Sequence, residues 1–179
     1  SAVDDIYKNA AKELGVKMAR NNMRLVYGGG ASGLMGTAAD AVLAEGGKVT
    51  GIFPEFLREF ESPHKHLTEI YVVNSMHERK QMMAERSDCF VVLPGGFGTL
   101  DEFFEILTWR QLQLHNKPVF LVNIDGYWSP LLKMLAQIFD KKFARDIHRN
   151  CFTVSDSIDG LIHSLKMAGS GENLDSAHI

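Results

Sequence analysis

Cys89-Phe90-Val91-Val92-Leu93-Pro94-Gly95-Gly96-Phe97-Gly98-Thr99-Leu100-Asp101-Glu102 is the stretch on which the fold of this chain turns. Cys89 to Leu93 is an unbroken apolar run, short enough for a strand and typical of strands covered on both faces. Leu100, Phe103, Phe104 and Leu107 then recur at i, i+3, i+4 and i+7, which predicts a helix from Thr99 to Leu114. A strand that passes through glycines into a helix leaves backbone N–H groups free at the positive end of the helix dipole. That arrangement is an anion site. Glu102 adds a carboxylate one turn into the helix, so the pair suggests chemistry on a phosphorylated small molecule. A competing reading needs no ligand, because Thr99-x-x-Glu102 has the spacing of a capping box. Gly95, Gly96 and Gly98 argue against a cap alone, since a cap does not require them and close approach of backbone to an anion does.

The same alternation continues on both sides. Helices are predicted over Asp4–Asn22, Leu34–Glu45, Met76–Arg86, Ser129–Asp140 and Ile158–Met167, with a short helix near Phe56. Strands are predicted over Arg24–Tyr27, Lys48–Phe53, Ile70–Val73, Val119–Asn123 and Cys151–Val154. Strands alternating with helices specify an α/β fold with a doubly wound parallel sheet covered on both faces, as a single domain over residues 1–168. Residues 169–179 read as a flexible polar C-terminal tail. Ligands of such sheets bind outside the strand carboxyl ends, where both glycine-rich turns of this chain fall. A doubly wound sheet ordinarily opens on a strand, whereas this chain opens on a helix. The expectation is that a first strand precedes Ser1, or that the sheet starts at Arg24.

The first glycine turn, Gly28-Gly29-Gly30-Ala31-Ser32-Gly33, fits G-x-G-x-x-G at Gly28, Gly30 and Gly33. The acidic residue that a dinucleotide site needs at the end of the next strand is absent, with Glu55 the nearest acid, so an NAD(P)-linked oxidoreductase is disfavoured. Close helix–strand packing accounts for part of this turn, and Gly29 and Gly30 are expected to line the ligand. Farther on, Ser75 and Glu78 form a second possible capping box. Arg79 and Lys80 follow at the start of a helix, where cations oppose the dipole. They read either as solvated charges or as groups projecting into the same crevice as Glu102.

A chain of 179 residues with 19 basic and 22 acidic side chains has net charge −3, so no global field attracts nucleic acid. No apolar run approaches the length of a membrane span. Two cysteines, Cys89 and Cys151, sit in apolar strand-like settings, and two buried thiols of a reducing cytoplasm are expected rather than a disulfide. His64-x-His66 lacks a partner at metal-ligand spacing, so the histidines are expected at the surface. No metal and no cofactor are predicted. Trp109 and Trp128 are expected to pack.

Taken together, Gly28-Gly29-Gly30-x-x-Gly33-Leu34-Met35-Gly36, Met76-His77-x-Arg79-Lys80 and Pro94-Gly95-Gly96-x-Gly98-Thr99-x-x-Glu102 resemble the "Lonely Guy" (LOG) family of cytokinin riboside 5′-monophosphate phosphoribohydrolases, whose members have often been labelled possible lysine decarboxylases. The resemblance runs from about Ala10 to Met167. It implies a Rossmann-like homodimer that hydrolyses the N-glycosidic bond of a nucleoside 5′-monophosphate, such as AMP or its N6-prenylated form, to a free base and ribose 5-phosphate. It further implies that Arg79 and Glu102 are the catalytic pair. Lys80 and the Gly95, Gly96, Phe97, Gly98 and Thr99 loop would contact phosphate and ribose, Glu61 would face the base, and Thr108 would make a further contact. The family opens with a strand and a Gly-Ser turn that this chain lacks. The alternative is a non-catalytic nucleotide-binding module. A pyridoxal-phosphate decarboxylase has little support in these residues, because Lys80 is the only tempting Schiff-base lysine and its neighbours do not define such a site.

Overall fold

In the computed structural model, residues 3–169 and 176–178 are described. Among the described residues, seven strands form one parallel sheet: β1 (Arg24–Tyr27), β2 (Val49–Pro54), β3 (Glu69–Val73), β4 (Cys89–Val92), β5 (Val119–Val122), β6 (Thr153–Ser155) and β7 (Ser176–His178). Their order is β3-β2-β1-β7-β4-β5-β6, and every pairing is parallel. The α-helices that cover it are α1 (Asp5–Arg20), α2 (Gly33–Ala44), α3 (Met76–Glu85), α4 (Phe97–Gln111), α5 (Ser129–Asp140) and α6 (Ile158–Gly169). Of the tail expected from residue 169, Gly169 closes α6 and 176–178 lie in the sheet as β7. Residues 170–175 and 179 fall outside the described residues.

The double winding follows from the period of two along the strands. Leu25 and Tyr27 of β1, with Cys89 and Val91 of β4, pack with Leu14, Val42 and Leu161 from α1, α2 and α6. Their neighbours Phe90 and Val92 face the other way, onto Phe103, Ile106 and Leu135 of α4 and α5. Val26 and Ile52 meet Met83 of α3. Each fully buried apolar side chain contributes roughly 1.5–3 kcal/mol, and both faces are filled. Burial pushes the Cys89 thiol up to about 12, with Asp88 adding to the shift, so it stays protonated. Cys151 is also a free thiol, but it ends a 3-10 turn (Asp146–Cys151) rather than starting a strand.

Two expectations are corrected and a third is met in part. Helix α4 begins at Phe97 with Gly96 as its N-cap and no side-chain cap. Thr99 is therefore the third helical residue, and Thr99 and Glu102 form no capping box. At Ser75 the side-chain cap forms, but the carboxylate of Glu78 reaches Asn74, one residue before the cap, instead of the Ser75 N–H. Ser75 Oγ accepts from the Glu78 N–H at 3.1 Å and Glu78 Oε2 from the Asn74 N–H at 2.9 Å. His64 is buried rather than at the surface, with Nε2 2.9 Å from Asp40 Oδ1.

His115 gives the fold a pH dependence. Its Nδ1 accepts from the Lys117 N–H at 3.1 Å, so its proton sits on Nε2 and is donated to the Ile106 carbonyl at 3.0 Å. Burial lowers its pKa below 6.5. The Ile106 bond opposes the shift, while nearby Arg110 and Lys117 add to it. The unfolded chain therefore binds this proton first on acidification. The contribution is complete above the unfolded pKa near 6.5 and declines as pH falls toward the folded value. The loss of Tm between pH 7.5 and pH 5.5 should be smaller in His115→Gln than in the parent. Equal losses would assign the dependence to other groups.

Candidate active site

The site lies where the chain changes direction in the sheet, at the carboxyl ends of β1 and β4 on either side of β7. Ser32, Met35, Glu61, Gly95, Thr99 and Tyr127 are among the residues that surround a crevice of about 530 Å³, within the size range of small-molecule sites. Glu102 and Phe103 open onto a smaller recess of about 60 Å³. The recess shares Leu34, Met35, Pro94 and Thr99 with the crevice, so the carboxylate of α4 adjoins it.

The glycine turn after β4 is shaped by contact. A Cβ on Gly95 would come within 2.1 Å of Thr99 Oγ1, so only glycine lets the threonine fold back over the loop. Gly96 and Gly98 are exposed, and Phe97 is 93% exposed at the helix start. The loop thereby presents the first turn of a fifteen-residue helix whose N-cap, Gly96, brings no side chain to its free N–H groups.

Across the crevice, the turn after β1 is clamped from several directions. The Tyr27 hydroxyl donates to the Gly30 carbonyl at 3.0 Å. Burial first, then Asp40 and Glu61, holds that phenol far above its usual range, so it remains a donor. The segment from Glu61 to His64 is stitched on by the His64 N–H to the Gly29 carbonyl (2.9 Å) and the Ala31 N–H to the Ser62 carbonyl (3.2 Å). These bonds bring Glu61 to the crevice wall beside Gly30, where its Oε1 accepts from Ser32 Oγ at 2.9 Å. Sequence reasoning missed Tyr27, His64 and Asp40 as supports of the turn.

Arg79 is 8% exposed, and its Nε has no hydrogen-bond partner among the described residues. Its Nη1 lies 3.8 Å from Met76 Sδ, and the guanidinium packs so closely under Gly28 that a Cβ there would sit 1.5 Å from Nη2. A Cβ at Gly28 would therefore displace the guanidinium from this position. No carboxylate pairs with Arg79 among the described residues. A buried guanidinium without a counter-charge is costly, and a bound anion would offset that cost.

Two candidates lie elsewhere. Lys80 bridges Asp101 and Glu105 of α4, at 3.0 Å to each. Burial lowers its pKa, but hydrogen bonds to Glu105 and Asp101 outweigh this and raise it overall. Its ammonium ties α3 to the start of α4. Thr108 donates to the Phe104 carbonyl at 2.7 Å and lines a separate cavity with Phe139, His148 and Cys151. Among the described residues, no cluster of three or more His, Cys, Asp or Glu side chains could hold a metal ion, and no helix is long and apolar enough to cross a membrane.

Comparison with known proteins agrees with this architecture. Residues 35–165 match a family described as possible lysine decarboxylase. A cytokinin riboside 5′-monophosphate phosphoribohydrolase of Rhodococcoides fascians is 45% identical over 161 residues, covering 89% of this chain and 81% of the relative. A protein of the same name from Arabidopsis thaliana is 41% identical, covering 90% and 71%. Among solved structures, the molybdenum cofactor carrier protein of Chlamydomonas reinhardtii superposes with a TM-score of 0.73, covering 96% of this chain and 92% of that one. At 20% identity it shows the fold alone. The motif order, the doubly wound sheet and these relatives together make the chain a member of the LOG family of cytokinin riboside 5′-monophosphate phosphoribohydrolases.

Proposed function

We propose that this protein hydrolyses the N-glycosidic bond of purine riboside 5′-monophosphates, with adenine or an N6-prenylated adenine as base, releasing the free base and ribose 5-phosphate. The observation that carries the reading is Arg79, a buried cation without an acidic partner among the described residues, lodged under the glycine turn of the ligand crevice. Its need for a counter-ion is met by an anionic substrate. The relatives' names supply the substrate class.

The chemistry follows from charge development. Cleavage passes through an oxocarbenium-like ribose, with positive charge growing on the sugar and negative charge on the departing base. The Glu102 carboxylate stabilises the sugar cation and orients the attacking water. Arg79 stabilises that negative charge, and its role is electrostatic, since a guanidinium as a class is not a proton donor. The backbone of Gly95, Gly96, Phe97, Gly98 and Thr99 holds the 5′-phosphate at the α4 N-terminus, and that remote binding energy positions the ribose. Gly29, Gly30 and Glu61 form the opposite wall. Lys80 acts by anchoring α4 through its two acids rather than as a free phosphate ligand, and Thr108 contributes outside the crevice. A Schiff-base role for Lys80 is disfavoured by the same ion pairs. The reading extends to a cytoplasmic homodimer, which a solution mass near twice 20.0 kDa would support and a monomer mass would refute.

The deciding experiment incubates the protein with AMP, isopentenyl-AMP, GMP, CMP and adenosine and separates released bases by chromatography. Adenine-type bases should appear from the monophosphates, with adenosine far poorer. Binding without base release would make the protein a nucleotide-binding module. Equal kcat/KM for AMP and adenosine would remove the phosphate from the argument.

A further inference from the structure

Gly95 and Gly96 form the least restrained peptide of the anion loop, because glycine on both sides leaves the peptide plane free to turn over. One side chain restrains it. Tyr127 Oη donates to the Gly95 carbonyl at 2.7 Å, a short bond across the crevice wall. In a trans peptide the C=O and N–H point opposite ways, so holding the Gly95 oxygen against the phenol directs the Gly96 N–H to the far side.

The phenol is itself held. Its ring meets Tyr7 of α1 edge-on at 5.4 Å and Trp128 at 4.7 Å. The turn that delivers it, Ile124–Gly126, carries two consecutive left-handed residues, Asp125 at φ 51° and Gly126 at φ 70°. A left-handed aspartate is strained, and such strain persists where surrounding structure over-determines it. Asn123 supplies that structure. Its carbonyl accepts from the Gly126 N–H at 3.3 Å, and its side-chain oxygen accepts from the Trp128 N–H at 2.7 Å. A strained turn, two aromatic contacts and a hydroxyl converge on one carbonyl of the phosphate loop.

We propose that Tyr127 is a positioning residue for the phosphate cradle, acting through Gly95 to fix the Gly96 N–H for the 5′-phosphate. The inference rests on the hydrolase reading for the identity of the ligand, but phosphate alone tests it.

Tyr127→Phe removes the hydroxyl and keeps the ring. Binding of inorganic phosphate, followed by Trp fluorescence or calorimetry, should weaken about threefold to tenfold, the scale of one net hydrogen bond. KM for AMP should rise by a similar factor with kcat little changed, while kcat/KM for adenosine stays at the parent value. Unchanged phosphate binding would overturn the proposal. So would equal losses for AMP and adenosine, which would mark Tyr127 as merely structural. If the parent protein releases no base from AMP, the hydrolase reading fails, and the phosphate titration still decides the role of Tyr127. Tyr127→Ala, which also deletes the ring contacts, should add a fall in Tm that Tyr127→Phe does not show.

Discussion

Glu102→Gln should reduce kcat on a nucleoside monophosphate by at least about 10²-fold, the scale for loss of a catalytic group, while leaving the fold in place. Glutamine keeps the shape and much of the hydrogen-bonding capacity of the side chain but cannot carry the charge that opposes an oxocarbenium ion. The structure sharpens this expectation, because the cap of α4 is Gly96 and not a Thr99–Glu102 box. A capping carboxylate removed from a helix start would cost about 1 kcal/mol and leave chemistry alone. Kinetics and thermal melting on the same preparation separate the cases. Turnover lost with Tm within about 2 °C of the parent supports the catalytic role, and turnover retained with a depressed Tm refutes it.

Arg79→Met should show the opposite signature in stability. Methionine fills much of the volume under Gly28 without bringing a charge into a site 8% exposed. Replacing even a buried ion pair by well-packed apolar groups is often neutral or stabilising by about 1–4 kcal/mol, and a buried charge without its partner has no Coulombic gain to lose. Tm should therefore hold or rise, while kcat/KM for AMP falls by about 10²-fold or more, through loss of electrostatic stabilisation of the leaving base. A substitution that abolishes turnover and stabilises the protein would be hard to explain by anything but a cation kept for its ligand. A lower Tm with activity largely intact would mean that the guanidinium is there for packing.

The two substitutions test the proposed catalytic pair on two different helices. Glu102 is carried by α4 after β4, and Arg79 by α3 against the end of β1, so the sheet's change of direction brings them to one end of the molecule. Lys80, adjacent to Arg79 in the chain, illustrates how little sequence proximity decides. A helix turns about 100° per residue, so the neighbour of a buried guanidinium points toward α4 and spends its charge on Asp101 and Glu105.

The chain's own pattern determined the alternation of strands and helices, the doubly wound sheet and the two glycine turns at strand carboxyl ends. These rest on local chemistry: apolar period, glycine placement and capping spacing act within a few residues of one another. The Ser75 side-chain cap was legible for that reason. The one suggested at Thr99 was not realised, because the glycines let the helix start two residues earlier, at Phe97. Only the tertiary structure decided that Arg79 is buried without an acidic partner among the described residues, that His64 and Tyr27 brace the first turn, that Thr108 faces another cavity, and that Tyr127 holds the second turn from 32 residues away. Each of those facts depends on contacts between segments distant in sequence. A residue's burial and partners are properties of the packed sheet and its helices, and the spacing of residues along one segment carries no record of them.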